Sequence, residues 1–281
     1  MDRFSGTGFV TVGGHRQFID LNIATGAGSY PNALWFNGIQ ESVIVVVEAA
    51  GLTPSDADNT QLLQAIKALL TARSTAVYAI IGGVQQVSVN GAAFTATGAS
   101  AFAWPVSGVA KVTVIGGGSG GGGCNGSNFA GPSGGGGGWA VRTIAGQTPG
   151  STTSITAGAG GAGSAAAGAS GGGGTSSFGS FLSATGGAPA GTTPVYAGGG
   201  PGAGVGGDVN QPGAWGSDGS TANPGSDWPG LSGASLFGGG VRASLGPGIL
   251  SAAYGAGGGA AYGGTANNGS AGASGCVIVE Y

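Results

Sequence analysis

Carboxylates are the side chains of this chain with the clearest capacity for catalysis. Asp208, Asp218 and Asp227 fall within one stretch of sequence, and two paired carboxylates can hydrolyse a glycosidic bond. Each stands beside glycine, serine or tryptophan in a turn context, where aspartate typically bonds its own backbone. We therefore expect these residues to shape turns, and we predict no catalytic residue, no metal site and no enzymatic activity.

The histidine and the cysteines do not indicate a catalytic or metal-binding site. His15 lies far from any carboxylate-rich segment, so neither a catalytic triad nor a histidine-based metal site is indicated, and a surface or interface histidine is expected. Cys124 and Cys276 flank the glycine-rich part of the chain. Two buried thiols in a reducing compartment are the favoured interpretation, and a disulfide is the alternative.

A nominal dinucleotide-binding pattern occurs at Gly116-x-Gly118-x-x-Gly121, directly after the apolar run 111–115. In dinucleotide-binding folds, the glycine-rich loop must lead into a helix whose N-terminus contacts the pyrophosphate of the cofactor. The sequence up to Gly138 is dominated by glycine and indicates no helix. We therefore predict no cofactor.

Aromatic side chains in the glycine-rich part are better candidates for binding, because large rigid side chains are the usual anchors of interfaces and sugar-stacking sites. The alternative is that some of them cap a glycine lattice or pack against strands. Residues 213–230 are the first choice for an exposed loop, since they combine two Trp, two Asp and turn residues. The candidate binding residues are Trp215, Asp218, Asp227, Trp228, Phe237 and Tyr254.

The composition decides whether the glycine tracts are linkers or structure. The chain has 69 glycines among 281 residues, 41% hydrophobic residues and only 6% charged residues, whereas disordered chains combine low hydrophobicity with high charge. Ordering a glycine costs roughly 0.5 to 1 kcal/mol more than ordering an alanine, and lateral backbone hydrogen bonds of roughly 1 kcal/mol each are the available compensation. The irregular spacing excludes collagen, so stacked polyglycine-II helices are predicted.

Two helices are predicted before the glycine-rich part. The first runs from Pro31 to Ala50 and is ended by Gly51, and the second is capped by Asp58 or Asn59. Two short helices offer too little core for independence, so an oligomeric partner is expected. The apolar residues predicted to serve attachment or oligomerisation are Leu34, Trp35, Ile39, Val43, Leu62, Leu63, Ile66 and Leu69.

The predicted fold class is mainly β and irregular, with a short N-terminal helical hairpin and a small β framework whose long glycine-rich loops stack as polyglycine-II helices. Strands are predicted at 85–89, 92–96, 101–105, 111–115, 139–144, 152–156, 176–183 and 276–281. The predicted divisions are an extended arm (1–30), a helical attachment and oligomerisation region (31–75), a β-rich connector that begins the tip framework (76–115) and a glycine-rich tip domain (116–281).

Charge and hydropathy argue against nucleic-acid binding and against membrane insertion. The formal net charge is −3 and the seven basic residues are scattered singly, so no nucleic acid is expected as a partner. The N-terminus has no apolar segment typical of a signal peptide, and no apolar run reaches about 18 residues. We therefore expect no signal peptide and no membrane insertion.

A resemblance to tail fibre proteins of tailed bacteriophages, especially Mu-like ones, rests on both halves of the chain. Residues 34–41 (LWFNGIQE), 47–52 and 58–66 resemble the attachment region of those fibres. Residues 102–105 (FAWP), 111–118 (KVTVIGGG), 175–179 (TSSFG) and 277–281 (VIVEY) are similar to glycine-rich receptor-binding tips of such fibres and adhesins. The chain departs from a long fibre in having almost no shaft.

The resemblance implies a virion tail protein made in the host cytoplasm. It would be homotrimeric, attach to tail or baseplate proteins through its N-terminal region, and bind a bacterial surface receptor, which could be a polysaccharide, an outer-membrane protein or a pilus. The alternatives are a purely structural baseplate or fibre component and a polysaccharide-degrading fibre. An ice-binding glycine bundle is disfavoured by the irregular glycine spacing and the helical N-terminal region.

Overall fold

The computed structural model describes residues 9–12, 15–18, 33–55, 58–71, 74–96, 101–105, 107–126, 129–165, 168–191, 197–220 and 230–281. The chain divides into two compact units, Met1–Arg73 and Ser74–Tyr281.

The first unit contains a β-hairpin and two helices. Its elements are β1 (Phe9–Val12), β2 (His15–Phe18), α1 (Ala33–Ala49) and α2 (Gln61–Thr71). Within the predicted extended arm, β1 and β2 pair antiparallel as a hairpin with Val12 opposite His15, which was not predicted. The Gly13-Gly14 dipeptide between two alternating runs is the signal of such a hairpin.

The two predicted helices are confirmed. Gly51 follows α1 with a φ of +73°, a left-handed conformation that glycine adopts without strain at a helix C-terminus. Before α2, the Thr60 amide donates to Asp58 Oδ1 at 2.8 Å. Hydrogen bonds from the Thr60 hydroxyl and amide hold the pKa of Asp58 below its usual value. The helices bury Ile44, Val47 and Ala65.

The second unit is built on strands. In chain order they are β3 (Thr75–Ile81), β4 (Val84–Val89), β5 (Thr95–Ala96), β6 (Ala101–Ala103), β7 (Ala110–Ile115), β8 (Cys124–Asn125), β9 (Phe129–Ala130), β10 (Trp139–Ile144), β11 (Thr152–Thr156), β12 (Ser176–Phe178), β13 (Leu182–Ala184), β14 (Gly204–Val205), β15 (Val209–Gln211), β16 (Ser244–Leu245), β17 (Ala261–Gly263), β18 (Ala266–Asn267) and β19 (Cys276–Glu280).

Two sheets form what we call the framework. The seven-stranded sheet has the order β15-β10-β7-β19-β3-β4-β5, and the five-stranded sheet has the order β14-β13-β12-β11-β6. The last strand, β19, lies between β3 and β7 and places Cys276 opposite both Ala79 and Ile115. One core cluster joins both sheets; it contains Phe102, Trp104, Val112, Val114, Phe178, Val277 and Val279.

One strand prediction needed correction, and one long strand of the framework was not predicted. The segment predicted as one strand at 176–183 is the hairpin β12–β13, because Gly179 adopts a φ of +50° and reverses the chain. The strand β3 was not predicted, although it has the most extensive pairing with β4 and β19. Buried and half-buried residues alternate in β3 only as far as Tyr78, because the next residue, Ala79, is buried as well. The strand therefore lacks the regular alternation that would predict it.

The glycine tracts between the strands are neither helices nor strands, and their hydrogen bonds show a period of three. In the segment 116–122, the amides of Gly116 and Ser119 donate to carbonyls of 132–138, those of Gly117 and Gly120 to 171–174, and those of Gly118 and Gly121 to 270–273. Three residues per turn with bonds to neighbouring chains only is the geometry of a polyglycine-II helix.

The same segment accepts hydrogen bonds from three further neighbours. Gly187 donates to Gly117, Gly161 to Gly118, and Gly258 to Ser119, each at 2.8 or 2.9 Å. The segment 116–122 is therefore surrounded by six hydrogen-bonded segments. This confirms the predicted stacking, and we call the packed segments the glycine lattice; they are 116–122, 131–138, 158–164, 171–174, 185–191, 197–203, 212–219, 230–234, 256–260 and 268–275.

Glycine is required in the lattice because the segments approach too closely for any side chain. A Cβ on Gly120 would lie 1.9 Å from the carbonyl oxygen of Ala162, and one on Gly118 would lie 2.0 Å from that of Ala256. These are backbone atoms held by their own hydrogen bonds, so they cannot move aside without breaking neighbours. The glycines act as core residues that have no side chain to bury.

Candidate functional site

The glycine lattice has two ends, which the chain path distinguishes. The chain leaves β7 at Ile115, runs through 116–122, and returns through 131–138 to β10. The excursions from β11 to β12 and from β13 to β14 likewise start and finish at strands of the framework. The segment 116–122 runs antiparallel to 131–138, as the pairs Gly116 with Gly138 and Gly122 with Pro132 show. It runs parallel to 158–164, where Gly161 donates to Gly118 and Ser164 to Gly121. We call the end that joins the framework strands the framework end and the opposite end, where the chain reverses, the distal end.

Several reversals therefore gather at the distal end. They include the connection between 123–126 and 129–130, the connection between Ala165 and Gly168, and the residues 261–267. The Gly191 amide donates to the Ala197 carbonyl at 2.8 Å, so the segments 185–191 and 197–203 also meet there. Ser220, which ends the segment 212–219, forms a bridge with Ala130 at the same end. The lattice thus aligns separate parts of the sequence on one face.

Short strands anchor the distal reversals. β17 pairs with both β9 and β16, and β18 pairs with β8. Cys124, Phe129 and Ala261 form a small buried cluster beneath them. The Cys124 thiol donates to the carbonyl of Thr265, which fixes the turn between β17 and β18. The distal end therefore has its own core, which holds its loops in place.

The described part of the distal end exposes aliphatic side chains. Leu245 is 73% exposed and stands opposite the half-buried Tyr262 in the β16–β17 pair. Leu231 is 62% exposed and stands opposite the exposed Arg242 in an isolated bridge. Neither leucine was among the predicted binding residues, since a lone leucine between glycine segments gives no sequence signal that it will be exposed. Apolar groups beside one cation can bind a ligand surface but supply no acid or base.

Two predicted binding residues lie on the segment 212–219. Trp215 is 71% exposed and lies on the flank of the lattice, where its indole is close to Gly200: a Cβ there would lie 3.5 Å from the ring. Asp218 lies nearer the distal end, and its Oδ1 accepts a 2.8 Å hydrogen bond from the amide of Gly198. The start of the predicted loop 213–230 is thus part of the lattice itself.

The other predicted binding residues lie elsewhere or outside the described residues. Phe237 is 52% exposed on a turn closed by Ser235 and Gly238 at the framework end. Tyr254 is half-buried against the cluster of Ile115 and Cys276, and desolvation raises its pKa. Asp227 and Trp228 lie outside the described residues. The structure does not bring Trp215, Asp218, Phe237 and Tyr254 together into one site.

The predicted attachment residues can be placed within the first unit alone. Ile39 on α1 and Leu63, Ile66 and Leu69 on α2 are between 42% and 54% exposed. Val43 and Leu62 are half-buried. The side chains of Leu34 and Trp35 lie outside the described residues. α2 therefore presents three apolar side chains at a spacing of three residues, which places them along one stripe of a helix.

Asp208 and Asp218 lie too far apart to form a catalytic pair. Asp208 Oδ2 accepts a hydrogen bond from the Thr143 amide at 3.0 Å at the framework end. Asp218 lies toward the distal end, roughly 20 Å or more along the extended segment between them. Paired glycosidase carboxylates lie within about 10 Å of each other. Among the described residues, no three His, Cys, Asp or Glu side chains are close enough to hold a metal ion.

The cysteines are free and buried. Cys276 lies opposite Ile115 at the framework end, and Cys124 lies at the other end of the segment 116–122. The segment separates them by roughly 25 Å, far beyond the reach of a disulfide. Burial raises the pKa of Cys276 to about 12. Both thiols are therefore buried and unpaired, as the favoured interpretation expected.

A family model described as a glycine-rich domain matches residues 95–281. No curated protein matches the chain significantly. Across the described part of the chain, none of the helices combines the length and apolar character needed to cross a membrane.

Proposed function

The chain belongs to the glycine-rich domain family, and from that premise we propose that it is a tail fibre or receptor-binding protein of a tailed bacteriophage. Its distal loops bind a receptor on the bacterial surface, and its N-terminal unit attaches to the tail or baseplate. The protein acts by binding and performs no catalysis. The proposal is supported by the resemblance to such fibres of residues 34–41, 47–52, 58–66, 102–105, 111–118, 175–179 and 277–281.

The observation that carries the proposal is the gathering of chain reversals at the distal end. A lattice whose central segment 116–122 has six hydrogen-bonded neighbours gives its loops little freedom, so they lose little entropy on binding. Loops on a rigid scaffold are the usual place for recognition. The exposed side chains of Leu231 and Leu245 supply contact area at that end.

The first unit supports the attachment part of the proposal. Leu63, Ile66 and Leu69 form an exposed apolar stripe on α2, and stripes of this kind pack against other helices. In this proposal, three copies of the chain associate through this stripe to form a homotrimer. Three copies would present three distal ends to one cell, so weak binding by each would add up to firm adsorption.

The test is binding of the labelled full-length protein to a panel of bacterial strains. Leu245→Asp places a charge on the distal end, and Val84→Asp makes the same change at a framework residue of comparable exposure, 52% against 73%. We expect binding to some strains, abolished by Leu245→Asp and retained by Val84→Asp. Circular dichroism of each variant verifies that it is folded.

Two outcomes would contradict the proposal. If no strain binds the protein, a purely structural tail component is the better explanation. If binding occurs and both variants retain it, the distal end is not the binding surface. Release of reducing sugar from bacterial capsules would instead favour a polysaccharide-degrading fibre.

A further inference from the structure

A hollow of about 330 Å³ opens beside β11, at the end of the five-stranded sheet that is remote from the glycine lattice. It lies where β6 and β11 meet the turn between β12 and β13 and the loop before β11. The residues that matter most in its lining are Trp104, Gln147, Thr152, Ser154, Ser180 and Phe181. Its volume falls within the range of roughly 300 to 1,000 Å³ that is typical of small-molecule sites.

The base of the hollow is aromatic and fixed. Trp104 is buried, and its Nε1–H donates to Thr153 Oγ1 at 2.8 Å. The ring of Phe181 stands edge-on to Trp104 at a centroid distance of 6.2 Å and is half-buried against the core. Arg142 holds this turn by donating from Nη1 to the Phe181 carbonyl at 3.2 Å. The aromatic edge is therefore positioned before any ligand arrives.

The wall of the hollow carries hydroxyl groups that the protein leaves available. The side-chain hydroxyls of Thr152, Ser154 and Ser180 make no hydrogen bond within the described part of the protein, and the Gln147 amide makes only a long 3.4 Å contact to Ala145. Thr152 and Ser154 alternate with buried residues on β11, so both lie on its outer face. Hydroxyls and amides can each donate and accept hydrogen bonds.

Gly179 keeps the hollow open. It takes a φ of +50°, and a Cβ there would lie 2.7 Å from Thr153 Cγ2. Its amide donates to the Ser154 carbonyl at 2.7 Å, which ties the turn to β11. A larger residue would both strain the turn and crowd the wall of the hollow.

We propose that this hollow binds one or two units of a neutral saccharide. The partly exposed ring of Phe181, several free hydroxyls and an amide complement the apolar face and the hydroxyl groups of a sugar ring. None of the described residues that line the hollow is charged, so nothing in it would balance a carboxylate or phosphate on the ligand. The site is separate from the distal end and does not depend on what the distal loops bind.

The test is saturation-transfer NMR and calorimetry of the full-length protein with neutral sugars, namely glucose, galactose, N-acetylglucosamine and their disaccharides, at millimolar concentration. Ser154→Arg fills the hollow with an exposed side chain. Thr156→Arg makes the same change two residues further along the same face of β11, outside the hollow. We expect at least one sugar to bind, with affinity reduced about tenfold or more by Ser154→Arg and unchanged by Thr156→Arg.

The proposal fails if none of these sugars binds the wild-type protein, or if binding survives in Ser154→Arg. Equal binding of sialic acid would also contradict it, because the uncharged lining predicts a preference for neutral rings. Leu245→Asp, which tests the distal end, should leave sugar binding unchanged, so the two proposals can fail independently.

Discussion

The interiors of the glycine lattice and of the framework sheets are stabilised in opposite ways. The sheets bury side chains such as Phe178 and Val112 between them. The lattice buries backbone, and each of its central segments is held by hydrogen bonds to neighbours on all sides. A sheet core therefore loses stability when a side chain is removed, and a lattice core loses stability when one is added.

The largest effect is expected in the framework. Phe178 is fully buried and contacts the rings of Phe102, Trp104 and Phe181. Phe178→Ala should lower the free energy of unfolding by about 4 kcal/mol, through lost burial and the cavity it leaves. The control is Phe237→Ala, whose ring is 52% exposed. Denaturant titration followed by tryptophan fluorescence measures both; similar losses for the two would contradict the description of the core.

The converse change tests the lattice. Gly120→Ala adds one methyl group 1.9 Å from the Ala162 carbonyl oxygen, and we expect a loss of about 3 kcal/mol. Gly239→Ala serves as the control, because a Cβ there meets nothing within 4 Å. Thermal unfolding compares the two. An unchanged melting temperature for Gly120→Ala would mean that the segments are not packed as described.

Much of this contrast could be predicted from the sequence. The glycine content with few charges predicted polyglycine-II packing, and runs such as 111–115 and 139–144 predicted strands that the structure contains. What could not be predicted was which segments would neighbour each other. Gly118 contacts segments more than 130 residues away, and a glycine carries no side-chain pattern that specifies its partner.

The candidate site was less predictable for the same reason. Trp215 and Tyr254 stand in similar glycine-rich contexts, yet one is exposed on the flank and the other packs against Cys276. Their surroundings are set by the lattice register, which the local sequence does not encode. The distal leucines gave no signal, since an isolated leucine is usually taken as a core residue.

The free energy of unfolding should depend on pH through a residue at the boundary between the framework and the lattice. Cys276 lies where β19 meets the lattice, and desolvation raises its thiol pKa from 9.0 to about 12. The folded protein holds this proton more tightly, so its contribution to stability is complete below pH 9 and is lost as pH rises toward 12. By about pH 10.5 the loss should reach about 2 kcal/mol.

Cys276→Ala isolates that contribution. The variant should be somewhat less stable at neutral pH because of lost packing, but its stability should fall less steeply with alkaline pH. Urea titrations over this pH range measure the slope. Identical slopes in the variant and the wild type would show that Cys276 is not the group responsible. Tyr254→Phe should also flatten the slope, because burial raises the pKa of Tyr254 in the same direction.

The smallest effect concerns Asp218, where structural and binding roles can be separated. Its Oδ1 accepts from the Gly198 amide, so Asp218→Ala should cost about 1 kcal/mol. Asp218→Asn keeps an acceptor oxygen and should retain most of the stability. If Asp218→Asn abolishes binding to bacteria while the protein remains as stable as the wild type, the carboxylate serves recognition as well as the lattice.

Amide hydrogen exchange of the segment 116–122 tests most directly whether the glycine tract is a core that positions the distal loops. NMR or mass spectrometry can compare its amides with those of Val112 and Val114 on β7. We predict comparable protection in both regions, because the residues 116–122 are buried and each of their amides donates to a backbone carbonyl at 2.6 to 2.9 Å. Exchange of the glycine amides at the rate of an unstructured chain, with β7 protected, would contradict the lattice and the role proposed for it.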